Sequence, residues 1–251
     1  MMNIQGKSSG KAYSVLAAFY EKLSEEDDYE NRGDYLVFLA NKYSTGIKCA
    51  DLACGSGYFT RRLKRAGYNV YGCDISDEML TEAENLALKE RLNIGFVHQD
   101  LAKFRSFEKL DLVTVINDGF NYLDEKKFTS ALRAISANLK QGGVLIFDVS
   151  SEYKIKNIIA DNVFAEDLDD LTYLWFNELD GNKLTMSLTF FIKDGAKYIR
   201  KDEMHIQYAH SLEFIESELK KASFDILEEC GELGEKLTGT SRRLCFVAKK
   251  K

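Results

Sequence analysis

Apolar residues recur along this 251-residue chain with two different periods, and each period predicts a different kind of element. Over about the first 45 residues they lie three or four positions apart, which predicts two helices. Short apolar runs then alternate with helical patterns. The runs predict strands at 47–54, 69–75, 94–99, 110–116 and 144–149, and the intervening patterns predict helices at 58–66, after a Ser76 cap, and at 128–139. Such alternation implies a parallel sheet covered by helices on both faces.

Beyond residue 150 the apolar period changes to two, which is typical of antiparallel strands with one buried face. The run 184–192 alternates in this way and lies between two Asp-Gly turns. With strands at 171–179 and 198–208, it predicts a three-stranded meander within an insertion over 151–209. The chain is therefore predicted to have an α/β fold, with a doubly wound, mostly parallel seven-stranded sheet and an inserted antiparallel meander. The main sheet is completed by a helix and two strands at 212–222, 224–230 and 244–248.

The composition of the chain argues against several classes of function. The formal net charge of −6 argues against binding through many phosphate contacts, so no nucleic acid partner is expected. No apolar run approaches the ~18 residues that span a bilayer, and the polar amino terminus does not resemble a signal peptide, so we expect no membrane partner and a cytoplasmic location. The five cysteines include no C-x-x-C pair and no neighbouring His at ligand spacing, which predicts no metal site and no disulfide framework.

A glycine-containing motif follows the first predicted strand and indicates a nucleoside cofactor. Gly55 and Gly57 allow a tight turn with close approach to a ligand, and Asp74 lies 19 positions after Gly55, at the end of the next strand. A carboxylate there can accept hydrogen bonds from ribose hydroxyls. A dinucleotide site favours a third glycine where this chain has Thr60. Asp51 would repel a pyrophosphate but could serve a cationic amino-acid group, which points to S-adenosylmethionine.

The chain resembles the class I S-adenosylmethionine-dependent methyltransferases, in particular the bacterial small-molecule group with a D-L-A-C-G-[ST]-G motif. The resemblance implies a Rossmann-like core over 46–150 and 210–251, a helical lid over 1–45, and an inserted β subdomain over the active site at 151–209. It rests on Tyr13-x-x-Leu16-Ala17-x-x-Tyr20-Glu21, Asp51 to Gly57, Cys73-Asp74-Ile75-Ser76-x-x-Met79-Leu80, Gln99-Asp100 and Gly142-Gly143-Val144-Leu145-Ile146-Phe147-Asp148.

The same resemblance implies a set of cofactor-binding residues. Asp51 would organise the glycine loop near the methionyl amine, and Asp74 would bind the ribose. Asp100 would accept a hydrogen bond from the adenine amine. The full predicted set is Tyr13, Tyr20, Arg32, Asp51, Ala53, Gly55, Gly57, Asp74, Ile75, Met79, Asp100, Leu101, Asn117 and Tyr122.

Three residues are candidates for direct roles in catalysis. His205 is a candidate general base or acceptor ligand, with a packed strand residue as the alternative. Asp118 could orient an amine, or it could be a turn residue. The Tyr20 hydroxyl could bind the methionyl carboxylate or gate entry, although aromatic residues seven apart are also common in cores. Methyl transfer from a sulfonium needs no protein nucleophile, so few catalytic residues are required.

The function predicted from the sequence is methyl transfer from S-adenosylmethionine to nitrogen or oxygen of a small-molecule acceptor, by a monomer or homodimer. The alternatives are a non-catalytic S-adenosylmethionine sensor, an RNA or protein methyltransferase, and a nicotinamide-dependent oxidoreductase. The chain has no proline, which excludes the Asn/Asp-Pro-Pro-aromatic motif of base amino-methylating enzymes and the Pro-Cys pair of cytosine C5 enzymes.

Overall fold

A computed structural model describes residues 12–13 and 28–251, in which the chain forms two sheets and five helices of eight residues or more. The strands are β1 (Lys48–Leu52), β2 (Asn69–Asp74), β3 (Phe96–His98), β4 (Leu110–Val115), β5 (Leu139–Ser150), β6 (Val163–Asp167), β7 (Leu171–Asp180), β8 (Lys183–Asp194), β9 (Lys197–Tyr208), β10 (Phe224–Cys230) and β11 (Arg243–Lys250). The helices are α1 (Tyr29–Tyr43), α2 (Tyr58–Arg65), α3 (Asp77–Lys89), α4 (Glu125–Asn138) and α5 (Leu212–Lys221). Shorter helical turns lie at Leu101–Lys103, Gly119–Tyr122, Glu152–Lys154, Ile155–Ile159 and Glu232–Gly234.

The larger sheet has seven strands in the order β3-β2-β1-β4-β5-β11-β10. β11 is antiparallel to both of its neighbours, and the pairings among β1 to β5 are parallel. This confirms the predicted doubly wound, mostly parallel sheet. The order reverses between β1 and β4, and ligands of such sheets bind outside the carboxyl ends of the strands at this point.

Three of the five helices, α3, α4 and α5, begin at a side chain that caps them. Ser76 accepts a hydrogen bond from the Met79 amide at the start of α3, and Asp124 accepts one from the Lys127 amide at the start of α4. Every residue of β4 is buried, because helices cover both faces of the sheet. None of the helices in the described ranges is long and apolar enough to span a bilayer.

The inserted sheet has four antiparallel strands, not the predicted three, in the order β6-β7-β8-β9. The prediction missed β6, which pairs with β7 from Val163↔Phe176 to Asp167↔Thr172. β6 is only five residues long and ends in two acidic residues, so its apolar period is too short to recognise. The predicted lid over 1–45 lies largely outside the described residues, and the division into lid, core and insertion stays a prediction.

Close packing at Gly72 on β2 gives a test of this arrangement. A Cβ built there would lie 2.6 Å from a ring carbon of Phe96 and 2.8 Å from the Cys54 Sγ, whereas one at Gly95 meets nothing within 4 Å. We expect Gly72→Ala to lower the free energy of unfolding by roughly 1–2 kcal/mol through overpacking. Gly95→Ala, the matched control, should change it by less than about 0.5 kcal/mol. Urea denaturation measures both, and equal effects would contradict the packing.

Candidate active site

A cavity of about 580 Å³ lies at the carboxyl ends of β1, β2 and β4, where the strand order reverses. Its volume is within the range of pockets that enclose a small organic ligand. Its wall is formed by β3, by the loops after these strands, by residues of α1, α2, α3 and α4, and by residues 12–13. The lining residues are Ala12, Tyr13, Tyr29, Ala53, Cys54, Gly55, Ser56, Tyr58, Phe59, Asp74, Ile75, Ser76, Asp77, Glu78, Met79, His98, Gln99, Asp100, Leu101, Ile116, Asn117, Gly119, Tyr122, Leu123 and Lys127.

The glycine loop and the Asp74 carboxylate form one wall of the cavity. Asp74 Oδ2 accepts a hydrogen bond from the Gly55 amide and Oδ1 accepts one from the Ser76 amide, each at 2.9 Å. Burial raises the pKa of Asp74, although these amides favour its ionised form. Gly55 has φ 53°, a left-handed conformation that suits glycine. The carboxylate is therefore held in place with lone pairs left for hydroxyl donors in the cavity.

Gly57 does not line the cavity, although it was predicted as a cofactor-binding residue. A Cβ at this position would lie 3.1 Å from the Ala83 Cβ and 3.1 Å from the Phe96 ring, and φ is 76°. The residue thus allows the loop to pack against α3 and β3. Gly57 supports the position of Gly55, which does line the cavity.

Asp51 lies beneath the glycine loop and is 1% exposed. Its carboxylate accepts hydrogen bonds from the Thr60 hydroxyl at 2.5 Å and the Thr114 hydroxyl at 2.7 Å. Burial raises its pKa to about 6, against the effect of these two hydroxyls. Because Asp51 is not among the lining residues, direct contact with a cationic amino-acid group is not its role in this geometry. It joins β1, α2 and β4 below the loop.

The raised pKa of Asp51 predicts a dependence of stability on pH. A carboxyl whose folded-state pKa exceeds its unfolded value near 3.9 destabilises the fold as pH rises from about 4 to about 6. Asp51→Asn removes this ionisation while keeping the size and an acceptor for the threonine hydroxyls. We expect the variant to gain roughly 1–2 kcal/mol relative to the wild type between pH 4 and pH 7. Urea unfolding across this pH range measures it, and a constant difference would contradict the assignment.

Apolar side chains face acidic ones at the end of the cavity formed by β2 and β3. Ile75 is 64% exposed, while Met79 and Leu101 are buried and reach the wall. Asp100 Oδ1 accepts a hydrogen bond from the Ala102 amide at 2.9 Å, which fixes its carboxylate at the wall. At the rim, His98 Nδ1 lies 2.7 Å from Asp77 Oδ1. Apolar surfaces beside a fixed acceptor suit a flat heterocycle with an amino group.

The turn after β4 is held by buried charges. Asn117 and Asp118 both have left-handed φ values, 69° and 67°. Asn117 lines the cavity, donating to the Tyr29 hydroxyl at 2.7 Å and accepting from Arg32 Nη2 at 3.1 Å. Arg32 also pairs with Asp148 at 3.2 Å. Arg32 is 6% exposed and is not among the lining residues of the cavity, so in this geometry it positions Asn117, and its predicted contact with the cofactor stays a prediction.

Asp118, which was predicted as a catalytic residue, also lies outside the cavity lining. Its Oδ1 pairs with Arg243 Nη1 at 2.5 Å and its Oδ2 accepts from the Ser150 hydroxyl at 3.0 Å. Although burial opposes ionisation, Arg243 lowers the pKa of Asp118 to about 2. A carboxylate with both oxygens engaged outside the cavity lining does not orient an acceptor amine. It anchors the turn that carries Asn117.

A chain of four polar side chains runs from the cavity into the inserted sheet. The Tyr13 and Tyr122 hydroxyls are 2.5 Å apart, and the Tyr122 hydroxyl is 3.2 Å from His205 Nδ1. His205 Nε2 lies 3.1 Å from Glu203 Oε2, which also accepts from the Tyr13 amide at 3.2 Å. His205 is buried and does not line the cavity, so it is connected to the cavity through Tyr122.

The structure thus brings most predicted site residues to one cavity and places others behind its wall. Tyr20 lies outside the described residues. Asp148, Glu203 and Arg243 were missed. Asp148 ends the block that begins at Gly142 but was given no role, and neither Glu203 nor Arg243 belongs to a recognised motif. The predicted residues that line the cavity are Tyr13, Ala53, Gly55, Asp74, Ile75, Met79, Asp100, Leu101, Asn117 and Tyr122.

The donor set at the cavity suits S-adenosylmethionine better than a metal or a pyrophosphate. Asp74 can receive the ribose hydroxyls, and Ile75, Met79 and Leu101 can pack against adenine beside Asp100. Carboxylates on the wall would repel a pyrophosphate and tolerate a cationic sulfonium. In residues 12–13 and 28–251 we find no cluster of three His, Cys, Asp or Glu side chains that could hold a metal ion.

Comparison with known proteins agrees with this geometry. Residues 49–143 match the model of the methyltransferase domain family. A protein of Geobacillus sp. (strain WCH70) whose name places it among the methyltransferases is 32% identical over 245 residues, or 95% of this chain and 99% of the relative.

Two solved structures extend the comparison. The crystal structure of an S-adenosylmethionine-dependent methyltransferase from Clostridium acetobutylicum ATCC 824 has a TM-score of 0.87 and 33% identity, covering 95% of this chain and 98% of that one. The sugar N-methyltransferase KedS8 from Streptoalloteichus sp ATCC 53650 shares the fold, with a TM-score of 0.80 and 18% identity over 100% of this chain and 97% of that one. This chain therefore belongs to the S-adenosylmethionine-dependent methyltransferases.

Proposed function

We propose that this methyltransferase methylates a nitrogen or an oxygen of a small-molecule acceptor. The observation that carries the proposal is the pair of hydroxyls, Tyr13 and Tyr122, that face the cavity with His205 directly behind them. A nitrogen or oxygen nucleophile must lose a proton when it is methylated, and this group of side chains can receive one. The fold shared with the sugar N-methyltransferase KedS8 supports an amine acceptor.

The proposed roles divide the cavity into two ends. Asp74 and Asp100 would bind the nucleoside, with Ile75 and Met79 against its base. Asn117 and the glycine loop would face the methionyl group. Bound S-adenosylmethionine supplies a methyl carbon on a cationic sulfur. Tyr13 and Tyr122 would then hold the acceptor atom about 3–3.5 Å from that carbon and in line with the C–S bond, which accounts for much of the rate enhancement.

A wall with several aromatic side chains favours this reaction. The positive charge on sulfur disperses as the C–S electron pair returns to it, so a site with little water stabilises the transition state relative to bulk solvent. Aromatic side chains from residue 13, α1 and α2 contribute to the cavity wall; they are Tyr13, Tyr29, Tyr58 and Phe59. The acidic balance of the chain disfavours RNA as the acceptor.

Methyl transfer from labelled S-adenosylmethionine tests the proposal. The purified enzyme is incubated with pools of small amines, amino sugars, amino acids and alcohols, and in parallel with total RNA and a protein lysate. We expect label in one small-molecule pool. Label in RNA or protein alone would replace the proposal with a macromolecular substrate. Binding of S-adenosylhomocysteine by calorimetry without transfer to any pool would favour a sensor.

A further inference from the structure

Glu203 is a buried carboxylate that the reaction as outlined does not use. It lies on β9, is 1% exposed, and sits two residues before His205 on the same face of the strand. Its Oε2 atom faces His205 Nε2 at 3.1 Å and accepts a hydrogen bond from the Tyr13 amide at 3.2 Å. If the Glu203 carboxylate is ionised, it accepts hydrogen bonds only, and this contact then requires the imidazole proton on Nε2.

The proton on Nε2 determines the direction of the whole chain of hydrogen bonds. With Nε2 as the donor to Glu203, Nδ1 of neutral His205 has a free lone pair and accepts from the Tyr122 hydroxyl at 3.2 Å. The Tyr122 oxygen can then accept from the Tyr13 hydroxyl at 2.5 Å. Each donor therefore points away from the cavity and toward Glu203.

We propose that Glu203 is a positioning residue for methyl transfer, which holds His205 in the Nε2–H tautomer so that Nδ1 can receive the acceptor's proton through Tyr122. The inference rests on the proposed function, since it concerns the proton that a nitrogen or oxygen acceptor loses. It adds a role for a residue that no motif identified.

The proposed step balances in atoms and charge. The acceptor lone pair forms the bond to the methyl carbon as the C–S bond breaks and its electron pair stays on sulfur. The acceptor proton moves to the Tyr122 oxygen, and the Tyr122 hydroxyl proton moves to His205 Nδ1. The resulting imidazolium is paired with the Glu203 carboxylate. Burial raises the pKa of Tyr122, so its phenol transfers a proton without remaining ionised.

The same carboxylate links the inserted sheet to the segment at residues 12–13. The Tyr13 amide donates to the Glu203 oxygen that faces His205, and the Tyr13 ring meets the imidazole edge-on with centroids 4.7 Å apart. Glu203 thus fixes the Tyr13 backbone and the His205 ring with one oxygen. Loss of the Glu203 carboxylate should therefore also leave the Tyr13 and Tyr122 hydroxyls less ordered at the cavity.

Glu203→Gln tests the proposal, with Asp202→Asn as the matched control. Asp202 is the preceding carboxylate on β9, on the opposite face, where it pairs with Arg200 at 2.8 Å and accepts from the Thr189 hydroxyl at 2.7 Å. We expect Glu203→Gln to lower kcat at least tenfold, with KM for the acceptor and affinity for S-adenosylhomocysteine changed less than threefold. Asp202→Asn should leave all three within twofold. Thermal unfolding shows whether each variant is folded.

A measurement without substrate separates this inference from the proposed function. Nitrogen-15 NMR of the wild type, with His205 assigned by its loss in His205→Gln, should show the Nε2–H tautomer, and Glu203→Gln should populate the Nδ1–H form. An Nδ1–H tautomer in the wild type, or an unchanged kcat in folded Glu203→Gln, would overturn the inference. Absence of transfer to any acceptor would overturn the proposed function and leave the NMR result to decide the tautomer.

Discussion

Replacing Asp74 with alanine is expected to weaken binding of S-adenosylmethionine and S-adenosylhomocysteine by about 10- to 150-fold, or roughly 1.5–3 kcal/mol. The expected loss is large because the carboxylate is buried and already oriented by the Gly55 and Ser76 amides. A ribose hydroxyl that donates to it gains a charged hydrogen bond without ordering a mobile side chain. Without the carboxylate, the two amides at the wall also lose their acceptor.

The control for this prediction is Asp77→Ala. Asp77 is another carboxylate that lines the same cavity, but its side chain is 80% exposed and pairs with His98 at the rim. It should change affinity by less than threefold, since an exposed charge contributes little in water. Isothermal calorimetry with S-adenosylhomocysteine compares the two variants, and thermal unfolding of each confirms that the glycine loop is not grossly altered. Equal losses of affinity in the two variants would show that Asp74 contributes only general negative charge at the cavity.

The position of Asp74 at the cavity was predictable from the sequence, because its partner Gly55 is close along the chain. Gly55 and Asp74 belong to one strand-helix-strand unit, in which strand order and turn geometry fix their relative positions. The spacing of 19 residues is therefore enough to predict that Gly55 and Asp74 lie next to each other in the fold. The same holds for the helix caps and for the seven-stranded sheet, since each follows from local periodicity and short connections.

The residues that the sequence did not reveal are held by contacts between distant segments. Arg243 pairs with Asp118 across 125 positions, and the Tyr13 amide donates to Glu203 across 190. No periodicity or motif spacing encodes such pairs, and a single sequence offers no covariation. This is also why Asp118 was predicted as a ligand for the acceptor: its place after β4 was correctly predicted, but the distant arginine that engages it was not.

The buried ion pairs behind the turn after β4 predict the largest effect on stability. Arg243 is buried, and its Nη1 contacts Asp118 at 2.5 Å and Asp148 at 2.9 Å. Asp148 in turn pairs with Arg32. We expect Arg243→Leu to lower the free energy of unfolding by about 3–5 kcal/mol, because two carboxylates stay buried with their shared counter-charge removed. Urea denaturation at pH 7.5 measures the change.

Arg200→Leu is the matched control, because Arg200 pairs with Asp202 on the exposed face of the inserted sheet, with its side chain 45% exposed. Its loss should cost less than about 1 kcal/mol. A deficit of that size for Arg243→Leu would show that the buried network contributes no more than a surface pair.

The pH dependence of the deficit identifies its cause. In the wild type, Arg243 lowers the pKa of Asp118 to about 2, so this stabilisation is present above pH 4 and is lost as pH falls toward 2. In Arg243→Leu, burial without the arginine should instead raise the carboxyl pKa, so the variant loses stability as pH rises. The deficit should therefore be larger at pH 7.5 than at pH 5.

Arg243→Leu combined with Asp118→Leu should recover part of the lost stability, since the second change removes a buried charge that has lost its partner. The double variant could instead have a lower free energy of unfolding than Arg243→Leu. That result would show that packing, not charge, fixes the turn that carries Asn117.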